Sequence, residues 1–131
     1  MVQLRFKSEM QRSDGLHVNV GLSVISFQDA EGVYLVYCPG LDLYGSGNTA
    51  GQAKSSFKEA LEEFVRYSIN KNTLDSELRK LGWRVVVGKK KRSYEEPSFA
   101  RLIRTNEDLQ RIVNDNNYSK YKQSVDIPVF A

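Results

Sequence analysis

The 131-residue chain is poor in the side chains that most often carry site chemistry, with one cysteine, Cys38, and one histidine, His17. A single cysteine cannot form an internal disulfide. Together with a single histidine it also leaves no His/Cys metal cluster, so only carboxylate or other oxygen ligands remain for a metal. No apolar run approaches the roughly 18 residues of a membrane span. The N-terminal stretch MVQLRFKSEMQR lacks the apolar core of a signal peptide. The expectation is an intracellular, cytoplasmic protein without a membrane partner.

What is present is enough for a packed core. Apolar residues make up 40% of the chain, with seven Tyr, six Phe and one Trp, which argues against disorder. The length suits one domain, or a small domain with an appendage. The net charge of +3 conceals an uneven distribution. Residues 1–78 hold 7 basic and 10 acidic side chains, residues 79–92 hold 7 basic and none acidic, and residues 93–131 hold 5 and 6. All the positive excess therefore sits in Arg79, Lys80, Arg84, Lys89, Lys90, Lys91 and Arg92.

Local patterning predicts an α+β fold. LHVNVGLSVISF, residues 16–27, alternates apolar and polar positions and reads as a long strand, with Gly21 a candidate bulge. QDAEG has turn composition, and VYLVYCP after it is β-branched and aromatic, so the two strands form a hairpin. Pro39-Gly40 marks another turn, and a short apolar piece from Leu41 to Tyr44 completes a three-stranded antiparallel meander. Thr49 with Gln52 forms a capping box ahead of an apolar stripe at Ala53, Phe57, Ala60, Leu61, Phe64 and Ile69. That spacing predicts a long helix packed on the sheet. A short helix follows with Leu74, Leu78 and Leu81 inward and Gly82 as its stop, and WRVVVG reads as the fourth strand of the sheet.

Beyond residue 88 the pattern predicts a separate extension. Residues 1–88 form the α+β domain, and residues 89–131 form a basic linker followed by short helices and a terminal strand, a candidate oligomerisation element. Pro97 is expected in the first turn of a short helix carrying Phe99, Leu102 and Ile103, and Thr105 with Asp108 is expected to cap another carrying Leu109, Ile112 and Val113. KYKQSVDIPVF alternates and reads as a strand in which Pro128 marks an edge or an end.

Site chemistry finds little to build on. A two-metal nuclease needs carboxylates converging from neighbouring elements. Asp29 and Glu31 lie in a turn, Asp42 follows Pro-Gly, and Glu59, Glu62 and Glu63 fall on the polar side of the helix. Cys38 and His17 could pair as nucleophile and base, but no third group is suggested and a strand-end thiol is ordinarily a core residue. GSGN, residues 45–48, resembles a phosphate cradle in outline but lacks both glycine-rich fingerprints. No catalytic residue, metal or cofactor is expected.

The stretch GVYLVYCPGLDLYGSGNTAGQA, residues 32–53, followed by FKEALEEFV, resembles the HicB-like antitoxin family. The resemblance rests on a glycine-led aromatic strand (Gly32, Val33, Tyr34), a Pro-x-Leu turn (Pro39, Gly40, Leu41), and a Gly/Thr entry into a helix (Gly45, Gly47, Thr49, Ala53). It covers about residues 16–88 and departs at Gln52, where the family usually has Glu. Gln keeps the same reach-back bond. The resemblance implies a partial ribonuclease H-like fold without nuclease activity, an antitoxin that masks a small, basic, RNA-cleaving HicA-like toxin, and a homodimer or higher oligomer. Many such proteins also repress their own operon, which implies operator DNA as a partner.

Two further readings accompany it. A basic toxin would dock on the acidic part of the chain, making Asp29, Glu31 and Asp42 candidate contacts. A nucleic-acid-binding regulator would use Arg79 to Arg92 on phosphates, with the terminal strand pairing across subunits. An enzyme, using Asp29, Asp42 or Cys38, is the third class.

Overall fold

The computed structural model describes residues 3–4, 17–88 and 92–128. Its strands are β1 (Gln3–Leu4), β2 (His17–Gln28), β3 (Tyr34–Cys38), β4 (Leu43–Gly47), β5 (Arg84–Val87), β6 (Arg92–Glu95) and β7 (Tyr118–Pro128). Its helices are α1 (Ala50–Asn70), α2 (Leu74–Lys80), α3 (Phe99–Thr105) and α4 (Glu107–Asp115). The fold is α+β, as the patterning predicts, with an antiparallel meander and a long helix packed on it.

The meander runs β2–β3–β4, with Ile25 opposite Tyr37 and Val36 opposite Gly45. At its first turn Asp29 Oδ1 accepts the N–H groups of Glu31 and Val33, both at 2.9 Å. Gly32, at φ +88°, supplies the left-handed residue that closes this turn. The capping box forms with one change of partner. Thr49 Oγ1 accepts from Gln52 N at 3.1 Å, and Gln52 Oε1 accepts from Asn48 N at 2.8 Å, one residue earlier than expected.

Ala53, Phe57, Leu61, Val65 and Ser68 are the buried side of α1, while Ala60, Phe64 and Ile69 of the expected stripe are half-buried flanks. They meet Val20, Leu22, Val24, Val36 and Cys38 from one face of the sheet. Each large apolar side chain buried there contributes about 2 kcal/mol. The helix lies unusually close to β4. A Cβ on Gly45 would come within 2.3 Å of Phe57 N, and one on Gly47 within 2.5 Å of Gln52 Cβ. These glycines therefore serve helix–strand contact, and the Asn48 N–H beside them is already bonded; GSGN is not a phosphate cradle.

The fourth strand beside the meander is not the expected one. β7 lies against β2 through eleven antiparallel partners, from His17↔Pro128 to Phe27↔Tyr118, and takes β1 in parallel on its other edge. The sheet order is β1-β7-β2-β3-β4. β5, expected in this sheet, instead pairs with β6 in a separate two-stranded ribbon. The reason is length and pattern. β2 has twelve residues, of which the last four pair with β3, and only an alternating strand as long as β7 can satisfy its other edge. β5 has four residues and leaves Val86 and Val87 exposed.

The segment expected as an extension is therefore woven into the fold. Val125 and Ile127 belong to the core under α1, and the strand expected to pair across subunits is paired within its own chain. Residues expected as linker include β6. Pro128 sits at the end of an internal strand, opposite His17. The two short helices cover the opposite face of the sheet, where Leu102, Leu109 and Ile112 meet Ile25, Phe27 and Tyr37. α4 is capped by Asn106, whose Oδ1 accepts from Leu109 N at 2.9 Å, and not by Thr105, whose hydroxyl donates to Arg101 O at 3.0 Å.

Two outcomes follow from this architecture. Gly45→Ala should destabilise the protein by about 2 kcal/mol or more, because the obstructing atoms are backbone; urea unfolding measures it, and wild-type stability would contradict the close contact. A chain ended at residue 88 loses the strand on β2's long edge, so circular dichroism should show no cooperative unfolding transition.

Candidate protein-docking site

At the end of the sheet where β2 turns into β3, the second face opens into a groove of about 360 Å3. Its walls come from Phe27, Asp29 and Ala30 at the hairpin, Tyr44 of β4, and Asp108, Arg111, Ile112 and Asp115 of α4. What holds α4 here is a bonded node around Tyr37. The Tyr37 hydroxyl donates to Asp42 Oδ1 at 2.8 Å and accepts from Asn106 Nδ2 at 2.9 Å. Asn106 in turn caps α4. Burial, with Asp42 adding to it, pushes the Tyr37 phenol far above its usual range.

Tyr44 stacks on Tyr37 with ring centroids 4.2 Å apart, yet remains 41% exposed. Its phenol is raised first by partial burial and then by the carboxylates of Asp108 and Asp42. Arg111 makes an ion pair with Asp108. The groove is thus an aromatic floor edged by three carboxylates and one guanidinium.

Of the acidic residues singled out from the sequence, Asp29 lines the groove, whereas Asp42 is not part of its lining and accepts from the Tyr37 hydroxyl. Asp42 is at φ +55°, in the left-handed region, where a residue that can bond locally is best tolerated. Glu31 is exposed at the hairpin tip and does not line the groove. Asp108, Asp115 and Tyr44 were not among the expected contacts. Asp108 was legible only as a helix-start acid, and nothing in the local pattern brings α4 to β4.

The basic segment is divided. Arg79 and Lys80 are exposed at the end of α2, where Lys80 faces Glu77 at 3.6 Å, and Arg84 faces Glu95 at 3.8 Å across the ribbon. Such exposed pairs are worth little to stability. Arg92 is a clamp: it forms an ion pair with Asp75 of α2, and the Tyr94 hydroxyl donates to the same carboxylate at 2.9 Å. Burial and then Asp75 push the Tyr94 phenol up to about 12. Lys89, Lys90 and Lys91 lie outside the described residues.

One constellation has the residue types of a hydrolase. Lys122 Nζ donates to Ser23 Oγ at 3.0 Å and to Glu96 Oε1 at 2.9 Å, and Glu96 also accepts from Ser23 Oγ at 2.8 Å and Ser23 N at 3.0 Å. An ammonium bonded to a carboxylate donates and cannot act as base, and the serine proton is directed at Glu96. The arrangement seals β2: the β2–β3 partners begin at Ile25, so Glu96 takes up the Ser23 N–H where β3 has ended. Cys38 and His17 do not meet. Cys38 faces the level of Val24, seven residues along β2 from His17, a separation of about 23 Å at the strand rise. Among the described residues no three His, Cys, Asp or Glu side chains are grouped to hold a metal, and no helix is long and apolar enough to cross a membrane.

No family model, curated protein or solved structure matches the chain.

Cys38 is fully buried, and that burial, with Glu96 nearby, pushes its thiol up to about 12. A raised acid favours the neutral native form, so its contribution to stability is intact at neutral pH and declines as pH rises through about 9 toward 12. At pH 8 the native protein should react with a thiol-specific disulfide reagent at least about a hundredfold more slowly than the urea-unfolded chain, since the thiolate is the nucleophile. Equal rates would show that Cys38 is accessible.

Proposed function

We propose that the chain is a HicB-like antitoxin that works by occupation: it covers the RNA-binding or catalytic surface of a small basic toxin and turns over no substrate. The observation that carries this reading is the acidic groove, in which Asp29 of the hairpin and Asp108 and Asp115 of α4 converge around an exposed aromatic ring. A protein that cleaves RNA must present positive charge to phosphates, and a surface of opposite sign steers it in and excludes RNA from the same face. The meander and the long helix support the partial ribonuclease H-like fold implied by residues 16–88. A role in repressing its own operon has less support, because Arg92 of the basic segment is committed to Asp75.

Co-expression with the neighbouring open reading frame tests the reading. The expected result is a small basic protein that copurifies with this chain and that arrests growth when expressed alone. Asp108→Lys with Asp115→Lys, both at the surface of α4, should weaken the complex at least about tenfold, and more at low salt than at high salt. A neighbour that forms no complex, or a double variant that binds like wild type, overturns it.

A further inference from the structure

We infer that the groove between β4 and α4 takes an arginine side chain of a protein partner, with the guanidinium laid on the exposed part of Tyr44 and its N–H groups turned to the surrounding carboxylates. The inference rests on the docking reading above and names the chemistry that the groove selects.

Three features favour arginine over any other cation. The first is the platform. Tyr37 covers one face of Tyr44 at a centroid distance of 4.2 Å while the residue keeps 41% of its surface exposed. A ring held by a stacked neighbour and still partly exposed suits a flat, weakly hydrated ion, and guanidinium, which can lie parallel to the ring, stacks there better than ammonium. The second is the acceptor set. Both turn bonds of Asp29 fall on Oδ1, and Asp115 makes no ion pair among the described residues. Carboxylates on opposite walls can therefore receive the planar fork of donors. The third is that the groove already holds a guanidinium–carboxylate pair: Arg111, one of its lining residues, bonds Asp108, another. A guanidinium paired with an aspartate is thus already seated in the groove that Tyr44 lines, and the excess of carboxylates leaves acceptors for a second.

The tyrosine pair also makes the platform rigid. Tyr37 is fully buried and bonded to both Asp42 and Asn106, so Tyr44 is stacked on a fixed neighbour. A preorganised aromatic loses little freedom on binding.

The test uses the full chain and needs no toxin. Hexa-arginine and hexa-lysine peptides of equal charge are titrated into the 15N-labelled protein at low salt. Arginine should bind at least about threefold tighter, with amide shifts centred on residues 29–31, 44 and 108–115. Tyr44→Ala should remove the difference between the two peptides while leaving hexa-lysine binding in place, and Tyr44→Phe should keep it. Equal affinity for the two peptides, shifts centred on the exposed acids of α1, or an unchanged preference in Tyr44→Ala overturns the inference. The two readings fail separately. If a copurifying toxin binds Tyr44→Ala as tightly as wild type, the arginine seat falls and the masking role stands. If no toxin exists but hexa-arginine seats on Tyr44, the reverse holds.

Discussion

The pairing of β2 with β7 is the constraint on which the rest depends. Eleven register partners join residues more than ninety positions apart, so everything between them is a loop that must close before this ladder forms. Closure entropy grows only slowly with loop length, and a continuous ladder that buries Val125 and Ile127 under α1 offsets it. Once β7 is in place the sheet has two edges, β1 and β4. β5 is then left to pair locally with β6, and α3 and α4 must cross the second face to deliver the chain to β7.

That crossing builds the groove. α4 could pack on Ile25, Phe27 and Tyr37 in several rotations if apolar contact alone decided. The Tyr37 hydroxyl removes that freedom, because a buried phenol needs partners and finds them in Asp42 and in Asn106, the residue that starts α4. One hydroxyl thus couples β3, the Pro-Gly loop and the helix N-terminus. Glu96 has the corresponding role at the other end of the face, where it satisfies the N–H of Ser23 and anchors Lys122 of β7. Both polar nodes sit where a strand pairing stops, which is where backbone groups would otherwise be stranded.

The charge distribution acquires a spatial meaning from this arrangement. The described acids of residues 1–78 do not form one face; Asp29 lines the groove, Asp42 is bonded to Tyr37, and Asp75 is consumed by Arg92. The decisive additions, Asp108 and Asp115, come from the segment whose charges nearly cancel. Net charge by segment is a poor guide to a surface built from several segments.

The amino-acid order by itself determined what depends on near neighbours: the alternation of residues 16–27, the turn at Asp29 to Gly32, the Thr49 cap and the buried side of α1. Each rests on bonds or periodicities that span a few residues. Tertiary structure alone decided which strand became the fourth, because RVVV and the longer run from Tyr118 both read as strands and only competition for the long free edge of β2 separates them. It also decided the site. Asp29, Tyr44 and Asp108 share one groove because β7 draws the chain back across the sheet and Tyr37 orients α4 as it passes, and neither effect is a property of any short stretch of sequence.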